Sequence, residues 1–155
     1  MSNTTFSGPV TSTNGFIGDL TGNVTGNISG SVANPTYTHT AVTANATATL
    51  TAAKVASGYI TSTSAAVTTL TLPTGTLLGT ALGAVKGTVF DLYIDNTAGA
   101  SVVTMAVAVN GIKSALAAAE AGGSGLLTIP SGVTGQAQFT LMFSSATAYT
   151  FSRVA

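Results

Sequence analysis

Hydrophobic and polar positions alternate most cleanly over residues 89–96. Phe90, Leu92 and Ile94 point one way there, and Asp91, Tyr93 and Asp95 the other. That period of two predicts a strand with one buried face. Residues 36–50 alternate in parts and are rich in β-branched side chains, which predicts one or two strands. Residues 59–63 and 67–72 read as strands, the second stopped by Pro73. After a turn at 96–99, residues 102–109 return as a strand. Residues 126–129, 136–143 and 148–154 give three more, linked by Pro130-Ser131-Gly132 and Ser144-Ser145.

Helical signals are few. Residues 51–56 fit a single turn, capped by Thr51 and ended by Gly58 in a left-handed conformation. Residues 74–82 form a short apolar segment, helix or loop, before a turn at Gly83. The alanine run at 113–121 has good helix propensity until Gly122-Gly123 breaks it. Roughly seven to nine short strands with frequent turns predict an all-β body over 36–155, jelly-roll-like or a β-sandwich.

The residues before Asn34-Pro35 follow a different pattern. Glycines recur at 18, 22, 26 and 30, and aliphatics at Leu20, Val24, Ile28 and Val32. A four-residue spacing suits a helical stripe, but each glycine costs about 1 kcal/mol in a helix, and β-branched residues fill other positions. An extended, Gly/Thr/Asn-rich N-terminal arm over 1–35 is therefore expected. One such strip exposes its aliphatic row and cannot form a core alone. Phe6, Phe16, Leu20, Val24, Ile28 and Val32 become the expected contacts to a partner groove or a neighbouring subunit.

Charge changes the picture most. Only 5% of the 155 residues are charged, against roughly 25% in ordinary soluble proteins, and four basic residues balance four acidic ones. Lys54, Lys86, Lys113 and Arg153 are too few and too scattered to meet nucleic-acid phosphates. An apolar content of 45% argues against disorder. Threonine supplies roughly one residue in five, so hydroxyls must wet the surface or partners must cover it. The second option predicts a subunit of a large assembly. No run of about 18 apolar residues proposes a membrane span. No signal peptide is expected, because neither a basic start nor an apolar run follows Met1.

Candidate chemistry is sparse. With no Cys and only His39, neither a disulfide framework nor a zinc ligand set is expected. Asp91 and Asp95 share a strand face, but positions four apart on a strand lie roughly 13 Å apart, too far to share a proton or an ion. A solvated outer face is expected there, and a strand-surface position for His39. Ser124 in Gly-Gly-Ser-Gly lacks the pattern of a nucleophile elbow, since Leu126 fills its last position. The order Lys86-Gly87-Thr88 is not that of a phosphate loop. No catalytic residues, metal site or cofactor are expected, and the chain is not expected to be an enzyme.

The opening Thr5-Phe6-Ser7-Gly8-Pro9-Val10, with Asn14-Gly15-Phe16, resembles the start of many tailed-phage virion proteins. The body resembles small phage head decoration (cement) proteins. The stretches that carry this are Leu50-Thr51-Ala52-Ala53, Gly58-Tyr59-Ile60, Thr69-Leu70-Thr71-Leu72-Pro73-Thr74, Gly87-Thr88-Val89-Phe90-Asp91, Ile94-Asp95-Asn96 and Ala148-Tyr149-Thr150-Phe151-Ser152-Arg153. The alanine segment 113–121 departs from that pattern. The resemblance implies a β-rich virion subunit, often trimeric, on the outer surface of the head. Its partners would be the major capsid protein and its own copies in a homotrimer. Similar text occurs in phage fibre proteins, so a fibre or spike subunit binding a host receptor is the alternative.

Overall fold

The chain winds between two sheets. A computed structural model describes residues 38–108, 111–113 and 127–154. The expected arm and all six of its contact residues, Phe6, Phe16, Leu20, Val24, Ile28 and Val32, lie outside those residues. So does most of the alanine segment, although Lys113 itself ends a strand rather than starting a helix.

Strand β1 (Thr40–Thr43) belongs to a six-stranded sheet and β2 (Ala48–Thr49) to a four-stranded one. Helix α1 (Ala52–Ala56) carries the chain back to β3 (Gly58–Thr61), which lies parallel beside β1. The next crossing gives β4 (Thr68–Thr71), parallel to β2. Helix α2 (Gly75–Leu82) then returns the chain to β5 (Val89–Asp95), parallel to β3, and a third crossing gives β6 (Val103–Ala106), parallel to β4. Three successive windings therefore stack in register. Their corners are tied by backbone bonds such as Ser62 N–H to the Asp95 carbonyl at 2.8 Å and Leu72 N–H to the Ala106 carbonyl at 2.7 Å. Where one corner lacks a backbone partner, the Asn45 side chain takes its place. Its oxygen accepts from Thr63 N–H at 2.8 Å and its amide donates to Thr63 Oγ1 at 2.7 Å.

The C-terminal part adds antiparallel pairings to both sheets. Strand β7 (Gly111–Lys113) lies at one edge of the six-stranded sheet, and β8 (Thr128–Ile129) runs antiparallel to β6. Strands β9 (Gln136–Ser145) and β10 (Ala148–Arg153) form a hairpin, with β9 antiparallel to β5. The six-stranded order is β1-β3-β5-β9-β10-β7, and the four-stranded order is β2-β4-β6-β8. The body is thus β-rich, as the alternation requires, but five of the eight strand pairings among the described residues are parallel. A jelly roll pairs antiparallel strands in Greek keys, and the described strands do not follow that plan. Of the strand expected over 102–109, the described part, β6, does not return beside β5 either. Asn96 redirects the chain, and β6 joins the other sheet.

Period-two burial explains why the sheets face each other. Ile60, Leu92, Ile94, Phe139, Leu141 and Phe151 of the larger sheet share one buried cluster with Leu70, Val103, Met105 and Ile129 of the smaller. The rings of Phe139 and Phe151 stack at 4.6 Å, and those of Phe143 and Tyr149 meet at 5.5 Å. Each fully buried side chain of this size contributes about 1.5–3 kcal/mol.

Both helices follow their local signals. The Thr51 hydroxyl accepts from Lys54 N–H at 3.3 Å, and Gly58 adopts φ +78°, as the capping pattern predicts. Thr74 caps α2 through Leu77 N–H at 3.4 Å, and Gly83 ends it at φ +59°. Helix α2 lays Gly75 and Gly79 against the hairpin between β9 and β10. A Cβ at either position would collide with a backbone carbonyl, of Thr147 or of Ala146. No described helix is long and apolar enough to cross a membrane.

Asn96 is wholly buried where the sheets meet. Its Nδ2 faces the carbonyls of Ser101 at 2.9 Å, Ile129 at 3.3 Å and Pro130 at 2.9 Å, and its backbone N–H donates to Gly135 at 2.6 Å. One side chain thus holds the end of β5, the loop before β6 and the end of β8.

Candidate functional site

The outward positions of β5 are Val89, Asp91, Tyr93 and Asp95, and parallel pairing with β3 sets Tyr59 abreast of Tyr93. Adjacent strands lie about 4.8 Å apart, so the two phenol side chains rise from neighbouring backbones. On the other side of β5, antiparallel β9 places Thr140 opposite Asp91, Gln138 opposite Tyr93 and Gln136 opposite Asp95. The result is a sheet face of tyrosines, amides, hydroxyls and carboxylates.

His39 precedes β1 and closes one side. Its ring centroid lies 5.6 Å from that of Tyr93, tilted by 44°. It sits directly over Gly58, where any Cβ would run into the imidazole. Gly58 therefore serves twice, by its positive φ and by making room for this ring. His39, Tyr59, Val89, Phe90, Asp91 and Tyr93 line an open groove of about 720 Å³. A second hollow of about 240 Å³ runs along Tyr59, Tyr93, Gln136 and Gln138 on the same face.

Both carboxylates lie on the outer, partly exposed face, as expected, and each also accepts side-chain hydrogen bonds. Asp95 accepts from the Thr97 hydroxyl at 2.6 Å, from Thr97 N–H at 2.9 Å and from the Tyr59 hydroxyl at 2.6 Å. The Thr97 hydroxyl, then that of Tyr59, holds the Asp95 carboxyl below the usual carboxylate range. The same bond to Asp95, assisted by burial, pushes the Tyr59 phenol above its ordinary value. Asp91 accepts from the Thr140 hydroxyl at 2.7 Å.

These are also the only carboxylates among the described residues, and both flank Tyr93. At roughly 13 Å along the strand they stand beyond the about 5–9.5 Å of paired glycosidase carboxylates. Among the described residues no three His, Cys, Asp or Glu side chains gather as a metal site. The arrangement is suited to holding a ligand. Sequence reading singled out Asp91, Tyr93, Asp95 and His39 but missed Tyr59. Alternation placed Tyr59 on a strand without identifying its neighbour.

Compared with family models, with curated proteins and with solved structures, the chain matches none.

Proposed function

We propose that this chain is a structural virion protein that binds the outer surface of an assembled phage capsid and stabilises it. In this reading a β-sandwich body carries an extended N-terminal arm over 1–35, and the partners are the major capsid protein and two further copies in a homotrimer. The observation that carries it is a surface poor in charge yet dotted with apolar side chains. Leu77, Val85, Val89, Val133 and Met142 are each more than half exposed, while charged residues are 5% of the chain. A soluble monomer usually keeps its surface wet with charge on about a quarter to a third of its positions. Coverage by partners resolves that conflict. Burial at about 25 cal/mol per Å² then supplies the attachment energy, and three linked copies multiply it.

The role is one of binding, without catalysis, cofactor or metal. Co-sedimentation of the purified protein with undecorated capsids tests it. The full chain is expected to pellet with the particles, and a chain lacking residues 2–33 to fold yet remain in the supernatant. Light scattering during size exclusion is expected to give a trimer mass. Failure of the full chain to bind any capsid surface would overturn the reading.

A fibre or spike subunit that binds a host receptor is the second reading, and the tyrosine groove favours it. Antibody labelling of virions separates the two by marking the head or the tail.

A further inference from the structure

We infer that the groove beside Tyr93 binds a neutral saccharide. The inference rests on the groove alone and holds for a protein on the head or on a fibre. Sugar rings present one apolar face and an equatorial belt of hydroxyls. A site for them needs an aromatic surface next to polar groups that both donate and accept. Tyr59 and Tyr93, abreast on parallel strands and half-buried, supply the aromatic surface, and the tilted His39 ring forms a wall. Val89 extends the apolar lining.

The polar groups fall into two roles. Asp95 is a positioning residue, because its carboxylate is occupied by Thr97 and Tyr59 and fixes where the Tyr59 hydroxyl lies. Asp91 is the binding residue. A carboxylate offers about four acceptor sites, and the Thr140 hydroxyl occupies one of them, on Oδ1. Gln138, opposite Tyr93 on β9, brings an amide that donates and accepts.

Charge and shape narrow the ligand class. Among the described residues no Lys or Arg lines the groove, and a carboxylate does, so an anionic ligand is disfavoured. A small quaternary ammonium would suit tyrosines beside an aspartate, but it asks for a closed cage. Here the lining is an open trough of about 720 Å³ continued by polar side chains along β9. That volume lies within the about 300–1,000 Å³ typical of ligand sites.

The full-length protein can be titrated with maltohexaose, cellohexaose and chitohexaose, with oligogalacturonate and choline as comparators. Tyrosine fluorescence reports binding cleanly, because the chain has four Tyr and no Trp, and saturation-transfer NMR identifies the bound sugar. At least one neutral hexaose is expected to bind with a dissociation constant of about 1 mM or tighter. Tyr93→Ala should weaken it more than about tenfold, Asp91→Asn by about three- to tenfold, and Tyr93→Phe, which keeps the ring, by less than about threefold. All three variants should co-sediment with capsids as the parent does, so failure here is distinguishable from failure of the attachment reading. If Tyr93→Ala does not fold, Asp91→Asn and Tyr93→Phe carry the comparison. No binding of any hexaose at about 10 mM, tighter binding of choline or oligogalacturonate, or equal effects of Tyr93→Phe and a folded Tyr93→Ala would overturn the inference.

Discussion

The Tyr149 hydroxyl, buried within the core, donates to the carbonyl of Pro73 at 2.8 Å. Tyr149 belongs to β10 of the larger sheet, and Pro73 follows β4 of the smaller, so one bond links the two sheets. Removing the hydroxyl leaves a carbonyl buried without its donor. Tyr149→Phe is expected to cost about 1–3 kcal/mol in urea unfolding at neutral pH.

The same tyrosine predicts an alkaline limit. Burial pushes its phenol up to about 12 from 10.0. A folded-state value above the unfolded one gives stability that is complete below about pH 10 and lost as pH rises towards about 12, roughly 2–3 kcal/mol in all. Unfolding midpoints measured from neutral pH to about pH 12 should fall more steeply for the parent than for Tyr149→Phe. Parallel curves would mean that the phenol is not held neutral by burial.

Asp95 sets the acid side. Its folded value is depressed, chiefly by the Thr97 and Tyr59 hydroxyls. The stability it contributes is therefore present above its unfolded value of about 4 and lost as pH falls through the lower folded one. Asp95→Asn should be less stable than the parent at about pH 7, and the gap should narrow as pH falls below about 4. A gap that stays constant would place the effect in packing rather than in charge.

Helix α2 tests close approach. Gly79→Ala gains about 1 kcal/mol of helix propensity, yet its Cβ meets the Ala146 carbonyl. Overpacking of this kind costs about 1–3 kcal/mol, so a net loss of stability is expected. Thr80→Ala, one residue along on the exposed side, should be neutral or slightly stabilising, because it removes a back-bond to the Thr76 carbonyl. Thermal melts of the two variants should move in opposite directions or differ by several degrees.

What the sequence made legible was local. Thr51 and Gly58 mark the ends of α1 because capping chemistry acts within one turn of the chain. Pro73 ends β4 because it carries no donor, and Leu92 and Ile94 face inward because a strand alternates. Neighbours across the sheets were not legible. Period two tells which face a side chain takes but not which strand lies beside it, so the pairing of Tyr59 with Tyr93 left no signal. The direction taken after Asn96 was hidden for the same reason, since its hold on Ser101, Ile129 and Pro130 is tertiary. Residues 74–82 read only as helix or loop, because the hairpin carbonyls that press on Gly75 and Gly79 are tertiary too.

Attachment is expected to be nearly insensitive to salt. Lys54 Nζ donates to the Thr43 carbonyl at 3.0 Å and Arg153 Nη1 to that of Thr128 at 3.1 Å, so two of the four basic groups already serve the fold. Affinity for undecorated capsids should change less than about tenfold between roughly 0.05 M and 0.5 M NaCl, a range over which polyelectrolyte binding shifts by orders of magnitude. A larger loss would mean that the few charges carry the contact.

The most direct measurement of the proposed attachment is a cryo-electron microscopy reconstruction of phage particles bearing this protein. Attachment as a cement subunit predicts three-fold density for the body on the outer capsid shell, with the N-terminal arm along capsid or subunit grooves. Body density confined to the tail fibres, or a head whose outer surface lacks it, would contradict the account.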